Sequence, residues 1–152
     1  MATVADILAK KGSRVLCISP SSSVLDAVQL MTRNRIGSLV VSTPAGMVNS
    51  CDRVVGMFTE RDVLTRIVSE ERAPSSTRVD EVMTANVAFC TPETDIQDVG
   101  AIMRERRIRH LPVCDPEGGL RGLISIGDLN AWHAQGQATE IHYLTEYIYG
   151  RV

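Results

Sequence analysis

The chain has 152 residues, 44% of them hydrophobic, and a formal net charge of −2. That is enough apolar material for a buried core and argues against disorder, while the near-balanced charge gives no basis for nonspecific attraction to nucleic acid or to an acidic membrane. No apolar run reaches the roughly 18 residues of a membrane-spanning helix, and no basic-then-apolar leader opens the chain, so the expected location is the cytoplasm.

The first predicted element is an apolar-patterned lead-in, Val4-Ala5-Asp6-Ile7-Leu8, followed by a short buried strand at Val15-Leu16-Cys17-Ile18. Ser21 to Ser23 then offer capping hydroxyls to an amphipathic helix with Val24, Ala27, Val28 and Met31 at helical spacing. Two strands come next, Ser38-Leu39-Val40-Val41 and Arg53-Val54-Val55-Gly56-Met57-Phe58, separated by a loop with Pro44 and Gly46. A helix starts near Glu60, and Ala73-Pro74-Ser75-Ser76-Thr77-Arg78 forms a turn-rich connector too short to let two halves move independently.

Beyond the connector the same order returns. Val79-Asp80-Glu81-Val82-Met83 echoes the lead-in. A strand is expected at Val87-Ala88-Phe89-Cys90, a helix over Ile96 to Arg106, and strands at His110-Leu111-Pro112-Val113 and Leu120-Arg121-Gly122-Leu123-Ile124-Ser125. A last helical stretch runs from about Asp128 to Tyr149, with Gly136 as the candidate break and Ile141, Leu144, Tyr147 and Ile148 on one face.

The two passes are copies in register. Ser19-Pro20, Asp26, Met31, Arg35-Ile36, Leu39 and Val41 recur 72 positions later as Thr91-Pro92, Asp98, Met103, Arg107-Ile108, Leu111 and Val113. Gly56 recurs as Gly122 at an offset of 66, so the second copy has lost six residues where Thr43 to Asp52 face the shorter turn at Asp115 to Gly119.

A half of about 60 to 70 residues holds only a marginal core, and pairing the halves covers apolar surface that one would expose. The sequence therefore predicts an α/β (α+β) fold, two β-α-β-β-α repeats packed sheet to sheet about a pseudo-twofold axis with a cleft between them. Repeat one is expected over 3–70, a linker over 71–78, repeat two over 79–133 and a helical tail over 134–152.

The repeated Thr59-Glu60-Arg61-Asp62 and Ser125-Ile126-Gly127-Asp128 each follow an apolar strand and open a helix. Such a junction offers backbone N–H groups and the positive end of the helix dipole to an anion, and a hydroxyl there can donate to a phosphate oxygen. An ionised Asp only accepts, and its two oxygens fit the vicinal hydroxyls of a ribose. The same residue types are also the preferred helix caps, and one copy alone favours that reading.

With those residues in place the chain resembles a tandem pair of CBS domains, the modules named after cystathionine β-synthase, over about residues 3 to 133. The resemblance rests on Gly56, Thr59 and Asp62 with Gly122, Ser125 and Asp128, on Arg107-Ile108-Arg109-His110-Leu111-Pro112-Val113 and on Val82-Met83-Thr84. It implies intertwined repeats whose clefts bind adenosine-containing ligands such as AMP, ADP, ATP, NADH or S-adenosylmethionine, and ligand sensing in place of catalysis. By the resemblance Asp62 and Asp128 hold ribose hydroxyls and Thr59 and Ser125 approach phosphate or ribose oxygens. Val15, Ile36, Val87 and Pro112 enclose the adenine, Thr84 belongs to the binding set, and a homodimer is expected.

The run Arg104-Glu105-Arg106-Arg107-Ile108-Arg109-His110 is the densest cationic stretch and ends beside the strand expected to line the second cleft. Arginine grips phosphate through paired hydrogen bonds, and His110 adds a donor that titrates near neutrality. Complementing the helix C-terminus accounts for Arg104 and Arg106, and both roles remain open for Arg107, Arg109 and His110. Arg61 is a further phosphate candidate, and Gly127 at the matching place brings no charge but allows close approach, so the clefts are expected to differ. Lys10-Lys11-Gly12-Ser13 has no equally long counterpart and suggests a phosphate contact only weakly.

Cys17, Cys51, Cys90 and Cys114 lack paired spacing and read as structural thiols, three of them in strand-like runs; His133 and His142 have no ligand spacing, so no metal site is expected. Trp132 is expected to pack the last helix on the core. With no P-loop and no acidic metal cluster, the expectation is a non-enzyme that binds an adenosine-containing ligand and signals occupancy to a partner or its own dimer. The alternative is a structural dimerisation module without a nucleotide.

Overall fold

The computed structural model describes residues 1–43 and 53–149; the loop with Pro44 and Gly46, and Cys51, lie outside the described residues. Helix α1, Val4–Lys11, opens on a capping box in which the Thr3 N–H donates to Asp6 Oδ2 at 2.8 Å. Strand β1 is only Cys17–Ile18, shorter than the apolar run that announces it. Helix α2, Val24–Asn34, is capped by the Ser23 hydroxyl, which accepts from the Asp26 N–H at 3.0 Å, and it buries Val24, Ala27 and Met31.

Strands β2, Ser38–Thr43, and β3, Arg53–Thr59, pair antiparallel with Leu39 opposite Phe58, and β1 joins β2 in parallel. Helix α3, Glu60–Asp62, runs into a π-helical turn over Val63–Val68. After a 3-10 turn at Pro74–Ser76 comes α4, Val79–Val82.

The second half holds α5, Ile96–Arg106, and the antiparallel pair β4, His110–Cys114, and β5, Leu120–Ser125. The strand expected at 87–90 is a correction: it shrinks to one parallel bridge, in which the Cys90 N–H donates to Pro112 O at 3.0 Å and the Cys114 N–H to Cys90 O at 2.8 Å. The run is apolar without being a strand, since Val87 turns back to bond Ala85 O and Phe89 is exposed.

Helix α6, Ile126–Tyr149, passes through Gly136 unbroken. A single helical glycine costs about 1 kcal/mol, less than its long helical flanks supply. Beyond residue 140, Ile141, Tyr143, Leu144, Tyr147 and Ile148 are exposed.

The lead-in helices are exchanged between the halves. Val4 and Ile7 of α1 complete the core of the second half with Ile96, Val99, Met103, Leu111, Val113 and Ile124. Val79 and Val82 of α4 complete the first, with Val24, Met31, Leu39 and Phe58. Backbone bonds repeat the exchange: the Val4 N–H donates to Thr94 O at 2.9 Å, and the Val79 N–H to Ser22 O at 2.8 Å. Each buried aliphatic side chain contributes about 1.5–3 kcal/mol, so neither core is complete without the other repeat's helix.

The repeated glycines mark the crossings. A Cβ on Gly56 would stand 2.5 Å from Met83 Sδ and 2.9 Å from Thr84 O, and one on Gly122 would stand 2.8 Å from Leu8 Cδ2.

Candidate ligand cleft between the repeats

A cleft of about 580 Å³ opens where the two halves meet, lined by the end of β3 and start of α3, by residues 84–88 after α4, and by the passage from α5 into β4. Because α4 packs on the first half, Thr84 and Val87 stand beside Thr59, Arg61 and Asp62. Arg107 ends α5 in the left-handed conformation, φ 54°, and turns the chain into β4. Arg107, Arg109 and His110 therefore line the cleft of the first motif. The expectation that they serve the second cleft is corrected, because the halves face each other across the axis.

Asp62 is buried and satisfied from three sides. Its Oδ2 accepts from the Thr59 N–H at 2.9 Å and from the Thr59 hydroxyl at 3.4 Å, while Oδ1 accepts from the Thr84 hydroxyl at 3.3 Å and lies 4.0 Å from Arg66 Nε. Arg66 also donates to Val82 O and Met83 O, at 3.1 and 3.0 Å, tying the π turn to the end of α4. The capping role is thus real in this conformation.

The expected cradle of open N–H groups is not what the motif presents. Thr59 N–H is used by Asp62, and Glu60 N–H donates to Gly37 O at 3.1 Å. Positive charge in the cleft comes instead from Arg61, Arg106, Arg107 and Arg109, set against the carboxylates of Asp62 and Glu105. Arg109 reaches Glu60 at 3.6 Å, but both side chains are exposed, so the pair leaves Arg109 available. His110 is driven below the ordinary imidazole value by burial and by the Arg109 charge, against weaker opposite pulls from Asp128 and Glu60.

The second motif stands apart from this cleft. Asp128 Oδ2 accepts from the Ser125 N–H at 2.8 Å and from Lys11 Nζ at 2.7 Å, and the Asp128 N–H donates to Ser125 Oγ at 3.2 Å. Burial pushes the Asp128 carboxyl upward, but the Lys11 and Ser125 hydrogen bonds outweigh it and the net shift is downward. Within the chain a Cβ on Gly127 would make only an ordinary 3.5 Å contact with Ser125 Oγ.

The expected adenine enclosure is only partly assembled. Val87 lines the cleft with Met57, Ala88 and Ile108. Ile36 lines a separate cleft of about 400 Å³ with Val28, Met31, Arg35 and Val63, Val15 is half-buried, and Pro112 is buried within β4. Sequence reasoning missed Met57, Asn86, Ala88 and Ile108 as lining residues and assigned Arg106 to the helix end alone. No local pattern marks Asn86, which reaches the cleft through the exchange of α4; Lys11 had a signal in its basic pair.

Among the described residues no His, Cys, Asp and Glu cluster could hold a metal ion, and no helix is long and apolar enough to cross a membrane. The fold and the cleft together define a tandem-repeat module that encloses a ligand-sized space between its copies. A family model for the CBS domain matches residues 4–69 and 79–133, and the chain belongs to that family as a tandem pair.

It is 33% identical over 154 residues to the CBS domain-containing protein CBSX3, mitochondrial, of Arabidopsis thaliana, covering 97% of this chain and 72% of that protein. Two longer relatives from the same plant are matched over 20% and 19% of their length. The structure of a putative signal-transduction protein with CBS domains from Burkholderia ambifaria is 40% identical, with a TM-score of 0.76 over 84% of this chain and 90% of that one. The CBS domain pair of protein MJ0100, solved in complex with 5′-methylthioadenosine and S-adenosyl-L-methionine, shares the fold at 19% identity, with a TM-score of 0.75 over 90% of this chain and 98% of that one. CBS pairs are regulatory modules that often bind adenosine-type ligands, and proteins built of CBS domains alone are generally regulatory and not catalytic.

Proposed function

We propose that this chain is a non-catalytic sensor that binds one adenine nucleotide, AMP, ADP, ATP or the adenosine half of NADH, in the cleft at Asp62 and signals occupancy to a partner or to its own dimer. One observation carries the reading: a 580 Å³ space lined by a carboxylate with two hydroxyls, by apolar Met57, Val87, Ala88 and Ile108, and by four arginines. That volume falls within the roughly 300–1,000 Å³ of small-molecule sites.

The chemistry matches the three parts of a nucleotide. Asp62 Oδ1 holds one weak hydroxyl donor, and a carboxylate oxygen takes a second, so a ribose hydroxyl can join or replace Thr84. The apolar side chains suit a base, and Arg61, Arg107 and Arg109 suit phosphates. Thr59 and Thr84 supply neutral donors between them.

Isothermal titration with ATP and with 2′,3′-dideoxy-ATP tests the ribose assignment without altering the protein. The dideoxy ligand is expected to bind at least about tenfold more weakly, the loss of a bond to a charged acceptor. Asp62→Ala is expected to lose ATP affinity to a similar degree, while its stability falls by about 1–3 kcal/mol as the Thr59 and Thr84 donors lose their acceptor. Equal affinity for both ligands sinks the reading. A dimerisation module without a nucleotide is the second reading, and it draws on the exposed Ile141, Leu144, Tyr147 and Ile148 of α6.

A further inference from the structure

The two acidic motifs are copies, yet their carboxylates meet different donors from the exchanged lead-ins. At Asp62 the donor is the neutral Thr84 hydroxyl, 3.3 Å from Oδ1. At Asp128 it is the Lys11 ammonium, 2.7 Å from Oδ2, which also donates to Leu123 O at 2.8 Å. The cause is length: α1 has eight residues and its counterpart α4 has four. The extra turn carries Lys10 and Lys11 beyond the point where α4 gives way to extended chain.

Lys10 anchors the same turn. Its ammonium stands 4.5 Å over the Trp132 ring and 3.2 Å from Gln135 Oε1, both on α6. Lys11 is thus positioned by a second contact with the helix that carries Asp128.

We propose that Lys11 determines which of the two repeated motifs accepts a nucleotide: it holds Asp128 Oδ2 in an ion pair from within the chain, and each chain takes one ligand, at Asp62. The inference rests on the reading of Asp62 as a ribose contact. Both bonds have an ionised acceptor, but only Lys11 adds a charge on the donor, and it stands at 2.7 Å against 3.3 Å for the Thr84 hydroxyl, so a ribose hydroxyl competes with Thr84 on better terms than with Lys11. Displacing Lys11 would also leave Leu123 O without its ammonium donor and open the bonds of that ammonium to replacement.

The test is binding stoichiometry by isothermal titration with AMP and ATP, for the full chain and for Lys11→Ala and Lys11→Met, each with and without Asp62→Ala. Lys11→Met keeps the aliphatic stem and serves if the alanine variant fails to fold. The unaltered chain is expected to bind one nucleotide, and the Lys11 variants two, the added site at least about tenfold tighter than any second binding to the unaltered chain. Adding Asp62→Ala is expected to weaken the parent's single site at least about tenfold and to leave one site of unchanged affinity in the Lys11 variants. Two sites in the unaltered chain, or one site in the Lys11→Met variant beside one in the parent, overturns the role of Lys11 and leaves the Asp62 reading standing. Binding by the Lys11 variants alone sinks the Asp62 reading and keeps Lys11. Failure of every protein to bind either nucleotide ends both.

Discussion

Burial and then the Arg109 charge hold the His110 pKa down, and the residue also feels both motifs, because Asp128 and Glu60 draw it up while Lys11 adds a weaker downward push. A base whose native pKa is depressed takes up its proton first in the unfolded chain as the pH falls. The native state is therefore fully stable above 6.5, the ordinary imidazole value, and loses stability below it. We expect the melting temperature to drop as the pH falls from that value toward the lower native one, and thermal melts of His110→Gln to show a flatter profile there. Asp128 acts in a separate window: its depressed pKa contributes stability above 3.8 that is lost as the pH falls through the lower native value. At this scale the sequence was partly legible. Thr59, Arg61, Asp62, Thr84, Val87, Arg107, Arg109 and His110 come together as one lining. Val15, Ile36 and Pro112 do not join them, because a side chain's place in a cleft depends on which half its backbone packs against, and spacing along the chain does not carry that.

At the scale of elements, the two glycines at the crossings separate tolerance from intolerance. The Cβ of Gly56→Ala meets a backbone oxygen, Thr84 O, as well as the Met83 sulfur, whereas that of Gly122→Ala meets only the end of the Leu8 side chain. A flexible side chain yields and a paired backbone does not. Gly56→Ala is expected to cost about 1–3 kcal/mol and Gly122→Ala well under that, as shifts in urea midpoint. Equal costs would mean that the β3 to α4 crossing adapts as freely as its counterpart. Helix α2 was readable because hydrophobic spacing and the capping serines agree, and α5 because it recurs in register with α2; the strand expected at 87–90 was not. An apolar tetrapeptide says that it is covered, and the cover here is a cleft wall at Val87 and a single bridge at Cys90.

Across the whole molecule the exchange of α1 and α4 makes the two cores mutually dependent. Ile7→Ala, in the first copy's lead-in, is expected to cost about 2–4 kcal/mol by opening a cavity in the second half's core. Trp132, packed on that core, and far-UV dichroism should report one coincident transition in urea. Two resolved transitions would show the halves to be separable. Duplication was the most legible property of this sequence, since register alone reveals it, while the exchange of helices entered only as the intertwining that the family resemblance implies, because both arrangements bury the same residues. A lone repeat would carry a helix shaped for its sibling and lack the one that seals its own interior, so it could be whole only in the embrace of a second molecule. Fusing two such units on one polypeptide turns a chance meeting in dilute solution into a tethered one, at an effective concentration on the order of millimolar.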